Sequence, residues 1–351
     1  MALGIELEVV ARCLLWECAA FCVLLVICNR WLILWADGAV KSAILIAVGF
    51  AGIIGAGWAA IAATPILHRL PAFVLLGFSF GEVRRLWLRH TYRMPAVSGS
   101  RAPRVSLTRP ITTTDLAVVR YLVPTGLASR RIRIVHLTDF HFNRKLNASY
   151  FDRVHEFVRQ QEADVILLGG DFISKIDNVP LLTAWLKNLP KAPLGTFAVL
   201  GNHDYWCKGH EVVRAQLAEH GIRCIAGDSQ VLTQADDRRF VLCGTEEPWG
   251  KSARTLAFEP GDYVIVLSHS PDTVYATSKR VDLMFAGHNH AGQLRLPWLG
   301  PLIVPSRYGR RLDRGAFRID RTQLFVSAGI GVDIPYVRLY CPPEIVVVDL
   351  G

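Results

Sequence analysis

The sequence has no CxxC pair. Its eight cysteines fall singly: Cys13, Cys18, Cys22 and Cys28 lie in an apolar N-terminal run, and Cys207, Cys224, Cys243 and Cys341 are scattered. That spacing argues against a zinc–sulfur site and a disulfide framework, so the thiols are expected to be buried or free in a reducing compartment. Charge is missing altogether from Ser42 to Leu67, a run long enough to cross the roughly 30 Å hydrocarbon core of a bilayer. Acids are missing between Glu82 and Asp115, where Arg84, Arg85, Arg89, Arg93, Arg101, Arg104 and Arg109 stand. Directly after a hydrophobic span, such a cluster suits a juxtamembrane segment better than a nucleic-acid surface. No small-residue cleavage site precedes the second run, so a cleavable signal peptide is not expected. Internal repeats and low-complexity tracts are also missing.

What is present divides unevenly. The chain has 351 residues, 51% of them hydrophobic, and a formal charge of +9. The apolar excess sits mostly before residue 80, which suits an anchor followed by a domain of a little over 200 residues. An earlier apolar run, Leu14 to Trp35, is interrupted by Glu17 and Arg30 and is expected to form a first transmembrane helix. Leu70 to Gly81 is too short to cross and leads into the arginines, as an interfacial helix does. Only Arg30 and Lys41 lie between the spans, so the positive-inside rule places the following chain in the cytoplasm, on the inner membrane. The predicted organisation is a membrane anchor at 1–95, a basic linker with an entry strand at 96–129, and a catalytic domain at 130–351.

From Arg131 strands and helices alternate. Predicted strands are Arg131–Leu137, Val165–Leu168, Gly195–Leu200, Phe240–Cys243, Tyr263–Leu267, Leu283–Ala286, Leu324–Ser327 and Ile345–Val348. Ser149–Gln161 and His210–His220 have helical spacing. The pattern predicts a mixed sheet sandwich flanked by helices.

Five of these strands end in polar clusters. These are Asp139-Phe140-His141, Gly170-Asp171, Gly201-Asn202-His203-Asp204, His269, and Gly287-His288-Asn289-His290. Alone, each has an ordinary reading as a turn or a surface imidazole. Together, each after its own strand, they point to one sheet edge, where α/β folds place their sites. Carboxylate, amide and imidazole in one set suit Mn, Fe, Co or Zn rather than Mg or Ca. Seven such side chains exceed one ion and suit two that share a carboxylate.

In that order the clusters resemble the calcineurin-like metallophosphoesterases, whose signature is D-x-H, G-D, G-N-H-D/E, H and G-H-x-H. The likeness covers about residues 130–350 and is closest to the bacterial membrane-associated branch, with GHNHAGQ (Gly287–Gln293) in place of its usual GHTHGGQ. It implies a four-layer α/β/β/α sandwich. It also implies that Asp139, His141, Asp171 and His290 hold one divalent metal, and Asp171, Asn202, His269 and His288 the other. His203 is implied to serve the leaving oxygen, with Asp204 orienting its ring. Manganese is the expected metal.

A site beside an interfacial helix is expected to meet membrane lipids and a phosphorylated lipid or nucleotide-lipid substrate, with no nucleic acid. Arg307, Arg310 and Arg311 are candidate substrate contacts, and Trp185, Trp206, Trp249 and Trp298 candidate acyl contacts. One activity known in the resembling branch is hydrolysis of UDP-2,3-diacylglucosamine to lipid X and UMP in lipid A synthesis. A broad phosphodiesterase shares every motif. A nuclease would not need two spans, and a binding scaffold would lack ligands.

Overall fold

The computed structural model describes residues 2–29, 39–62, 69–94, 106–125, 131–235, 238–252 and 256–351. Arg30 to Trp35, residues 63–67 of the uncharged run, and residues 96–105 and 126–129 of the expected linker, including Arg101 and Arg104, lie outside them. Three helices come first: α1 (Ala2–Ile27), α2 (Ala39–Ala62) and α3 (Leu70–Tyr92). With Pro305–Arg311 they make one compact unit, and Tyr92–Val304 with Leu312–Gly351 makes the other.

On α2, Gly52, Ala56 and Ala60 recur every four residues and so share a face. Ala56 and Ala60 are buried, and a Cβ at Gly52 would stand 3.0 Å from Leu24 of α1. Small residues let two helices approach closely where hydrophobic burial cannot drive them together. The large apolar side chains point outward instead. Ile46, Phe50, Ile53 and Trp58 of α2 are exposed, as are Phe73, Leu76, Phe80, Val83 and Trp87 along one stripe of α3. Among the described residues, Glu8–Ile27 is the stretch long and apolar enough to cross a membrane, and the apolar part of α2, Ile46–Ala62, is shorter. The expected second span, Ser42–Leu67, continues beyond the described residues. The first run gains length because it begins before Leu14, where Arg12 is paired with Glu8 one turn away.

Among the described residues the larger unit holds two large sheets and a two-stranded pair, Arg295–Leu296 with Gly300–Pro301. Its strands and helices are β1 (Arg93–Met94), β2 (Ala117–Val123), β3 (Ile132–Leu137), α4 (Ala148–Arg159), β4 (Val165–Leu168), α5 (Val179–Leu186), β5 (Thr196–Ala198), α6 (Asn202–Trp206), α7 (His210–Glu219) and β6 (Arg223–Cys224). Then come β7 (Ser229–Ala235), β8 (Arg238–Thr245), β9 (Tyr263–Ser268), α8 (Val274–Thr277), β10 (Leu283–Ala286), β11 (Arg295–Leu296), β12 (Gly300–Pro301), β13 (Gly315–Ile319), β14 (Thr322–Val326) and β15 (Glu344–Leu350). One sheet runs β2-β15-β3-β4-β5-β6 and the other β1-β13-β14-β10-β9-β8-β7.

Alternation along the strands sorts the core into layers. Ile132, Ile134, Val165 and Leu167 of the first sheet meet Leu242, Ile265, Leu283 and Phe285 of the second. The opposite face of the first sheet, with Val135, Ile166 and Leu168, is covered by Val154 of α4, Leu182 of α5 and Leu217 of α7. The outer face of the second carries Val264, Val266 and Met284 under Val274 of α8. This is the α/β/β/α sandwich. Strands β3, β4 and β5 are parallel neighbours, as are β9 and β10, so their C-terminal ends collect along one edge.

Ile134 lies fully buried between the sheets. Replacing it with alanine should cost about 2–5 kcal/mol of stability, read as a fall in the unfolding midpoint of the folded chain.

Candidate metal centre

The five clusters follow β3, β4, β5, β9 and β10, and the loops carrying them are tied to each other through the backbone. Asp139 N–H donates to Gly170 O at 2.9 Å and His141 N–H to Asp171 O at 2.9 Å. Across the sheets, His288 N–H donates to the Asp139 carboxylate at 3.0 Å. Asp139, His141, Asp171, His288 and His290 all have left-handed backbones, with φ between 41° and 67°. Residues of this kind pay roughly 1–3 kcal/mol each for such a conformation, and it persists where surrounding structure over-determines it. Two glycines leave the room. A Cβ at Gly201 would stand 2.1 Å from Asp171 Oδ1, and one at Gly287 would stand 2.3 Å from Asp139 Oδ2.

Two groups of ligand atoms share Asp171, beside a third made by His141, His203 and Asp333. Asp139, His141, Asp171 and His290 form one, and Asp171, His269 and His288 form the other. Asn202 joins the second, its Oδ1 3.1 Å from His269 Nε2. The shared residue is Asp171, whose Oδ2 lies 3.4 Å from His141 Nε2 and 3.3 Å from His269 Nε2. His290 Nε2 is 3.3 Å from Asp139 Oδ1 and 2.9 Å from His141 Nε2. Atoms about 2.1 Å from one divalent ion and at right angles to each other stand roughly 3 Å apart, so these separations fit a common ion.

The proton arrangement agrees. His269 Nδ1 lies 2.7 Å from Gly169 O, which only accepts, so Nδ1 carries the hydrogen. Nε2 then faces the oxygens of Asp171 and Asn202, an arrangement that needs either a proton or a metal ion on Nε2. Burial alone would lower the His269 pKa, but the Asp171 carboxylate outweighs it and holds the imidazole at about 9. That is a site that draws in positive charge, whether proton or metal. Burial pushes Asp139 up to about 6 and pulls His141 down to about 4. Asp139 and Asp171 are 0% and 1% exposed, and buried carboxylates are stable when paired or on a metal.

His203 stands at the margin, its ring edge-on to His141 at 4.7 Å. The orienting role expected of Asp204 does not match its contacts. Its buried carboxylate accepts from the N–H groups of Gly201 at 3.0 Å, Ile173 at 3.1 Å and Phe172 at 3.3 Å. It therefore fastens the Asn202 turn to the Asp171 loop. The carboxylate beside His203 belongs to Asp333, with Oδ2 3.5 Å from His203 Nε2. Asp333 was missed by sequence reasoning. Its local signal is weak, because Asp333 closes a largely apolar, glycine-containing turn, Ser327 to Asp333, after the end of β14. Arg338 was also missed. It is fully buried and braces that loop through Ala328 O at 2.7 Å and Gly331 O at 2.7 Å.

The remaining candidates disperse. Trp249 packs on His288 at 4.9 Å and Trp206 on His203 at 5.0 Å. Trp185 is a core residue, and Trp298 is 88% exposed. Asn289 donates to Leu312 O at 2.7 Å, away from the ligand groups. Arg307, Arg310 and Arg311 belong to the helical unit, where Arg310 is buried and ion-paired with Glu82. Arg310 thus meets Glu82 of α3.

The family model of calcineurin-like phosphoesterases matches residues 132–292. The chain is 30% identical over 225 residues to the phosphodiesterase YaeI of Escherichia coli, covering 62% of this chain and 82% of that protein. This chain belongs to the calcineurin-like metallophosphoesterase family. Within it, an uncharacterized metallophosphoesterase of Bacillus subtilis, YkuE, is 28% identical over 250 residues, covering 68% of this chain and 85% of its own length. The UDP-2,3-diacylglucosamine pyrophosphatase LpxG of Chlamydia muridarum is 26% identical over 271 residues, covering 61% and 82% respectively. The protein is thus a metal-dependent phosphoester hydrolase, and its Asp and His clusters supply a divalent-metal site.

Because Asp171 serves both groups, Asp171→Ala should lose bound metal by elemental analysis and more than about 100-fold in phosphodiester hydrolysis. In the same assays, Asp333→Asn should keep its metals and lose roughly tenfold in kcat. Asp204→Asn should instead lower the melting temperature, since the backbone donors it satisfies would be left with a weaker acceptor.

Proposed function

We propose that this metallophosphoesterase is anchored in the inner membrane, faces the cytoplasm, and hydrolyses the pyrophosphate of a nucleotide-linked lipid. The best-supported substrate is UDP-2,3-diacylglucosamine, giving UMP and lipid X. The observation that carries the reaction class is the carboxylate of Asp171 shared by two histidine groups. The outward apolar faces of α1 to α3 support the membrane setting, because surfaces of that extent are unfavourable in water. The likeness to LpxG supports the substrate.

In this reading Asp139, His141, Asp171 and His290 hold one divalent ion, and Asp171, Asn202, His269 and His288 the other, with manganese the preferred metal. When bound, such ions acidify water and neutralise phosphoryl oxygens. The protein's own side chains do the rest. Gly169 O fixes the tautomer of His269, and Asp204 and the His203 N–H, 2.9 Å from Asp171 Oδ1, set the bridging carboxylate. The half-buried Trp249 ring offers a flat wall beside His288 for a base or sugar. Water adds to phosphorus as the bond to the leaving oxygen breaks, and His203, held by Asp333, places a proton at that oxygen. A broad phosphodiesterase is the second reading, supported by the likeness to YaeI.

Purified full-length protein with Mn²⁺ should release UMP from UDP-2,3-diacylglucosamine. Hydrolysis of bis-p-nitrophenyl phosphate without UMP release would favour the second reading, and inactivity on both with every metal would reject the reaction class. His203→Ala should lose about 10²–10⁴-fold on an alkyl phosphodiester, whose leaving oxygen needs a proton. It should lose much less on the p-nitrophenyl ester, and equal losses would remove His203 from that role.

A further inference from the structure

The larger unit carries an exposed apolar ledge beside the metal centre, built from segments 106–112, 294–302 and 334–340. Leu339 forms β-bridges with Ile111 on one side and Leu294 on the other, and Tyr340 donates its hydroxyl to Leu107 O at 3.2 Å. Gln293 closes the joint, accepting from Asp333 N–H at 3.0 Å and donating to Asp333 O at 2.8 Å. Leu107, Ile111 and Leu296 are exposed on these segments, and Ile334 and Trp298 stand out furthest, at 74% and 88%. A single exposed apolar residue is ordinary, whereas a group on joined segments marks an interaction surface. The ledge is also tied to the site. Ile334 directly follows Asp333, whose carboxylate is 3.5 Å from His203, and Arg338 donates to the carbonyl of His290 at 3.4 Å.

Two features indicate a lipid occupant. Trp298 sits at the tip of the β11–β12 hairpin with φ of 63°. Glycine takes that left-handed conformation at no steric cost, and a bulky residue there is an outlier. At its exposure Trp298 gains almost nothing from packing, so neither the turn nor the core accounts for it. The second feature is charge. The three segments contain no Asp or Glu. Arg109 on the ledge is exposed, and the exposed Lys145 holds its ammonium 5.9 Å over the Tyr336 ring. Indole and phenol rings favour the headgroup level of a membrane, and cations beside them are drawn to its anionic surface. Trp298 and Ile334 project from separate loop tips, a shape that a fluid surface accommodates.

We propose that this ledge touches the bilayer, with Trp298 and Ile334 entering the headgroup region so that the metal centre meets phosphoesters at the lipid surface. The inference rests on the membrane setting proposed above and is independent of the nucleotide-lipid substrate.

The test uses the full-length protein in vesicles of phosphatidylcholine and phosphatidylglycerol, with or without bromine on the acyl chains near the headgroup. Bromine quenches tryptophan on contact, and the fluorescence of the wild type minus that of Trp298→Phe isolates Trp298. Brominated lipid should remove most of that difference, while quenching that persists in Trp298→Phe reports the helices. Ile334→Trp in the Trp298→Phe background should add a second quenched signal. Val231→Trp in the same background, at an exposed position on β7 four strands along from β14, should add an unquenched one. A Trp298 difference untouched by brominated lipid while the helices are quenched would overturn the ledge alone. If that difference were also screened from aqueous acrylamide, the ledge would be covered by protein, a second copy included. Equal quenching at positions 231 and 334 would overturn the assignment to this surface, and no quenching of any tryptophan would overturn the membrane setting with it.

Discussion

The carboxylate of Asp171 is the constraint on which the rest of the larger unit depends. It is 1% exposed, sits on a left-handed backbone, and turns one oxygen toward both His141 and His269. An isolated charge there would be very costly. The surrounding histidines hold its pKa well below the usual carboxylate range although burial works to raise it. The same oxygens and lone pairs that make the site unfavourable when bare make it a strong trap for cations. Stability and function are coupled at this point, since whatever neutralises the cluster also relieves the fold.

Much of the surrounding architecture serves that one placement. Parallel pairing of β3, β4 and β5 brings three loops to one edge, and β9 with β10 brings two more. Gly201 and Gly287 are needed because any side chain there would collide with the very carboxylates the loops present. Asp204 and Arg338 act at one remove, each satisfying backbone groups of a loop that carries or faces a ligand. Five strained ligand backbones in one site are tolerated because every neighbouring loop is bonded to the next.

Strands β4 and β10 were legible to the residue, because a fully buried strand is a short apolar run bounded by polar turns. The residues of both ligand groups were legible for a related reason, each being a polar cluster that closes such a run. Edge elements were not. Strand β7, Ser229–Ala235, mixes polar and apolar residues without clean alternation, and α6 is a single turn whose Asn and His were assigned to the site rather than to a helix. Roles that depend on distant partners were also hidden. Nothing local shows that Asp204 faces backbone donors, that Asp333 faces His203, or that Arg310 meets Glu82 from 228 positions away.

The helical unit follows different rules, with small residues between helices and large apolar ones outside. Such packing gains little from water and is suited to a lipid surrounding. The central claim nevertheless concerns the metal centre. Crystals of the protein grown with Mn²⁺ and measured at the manganese absorption edge test it most directly. Two anomalous peaks should appear, one on each side of the Asp171 carboxylate. A single peak, or peaks remote from Asp171, would contradict the account.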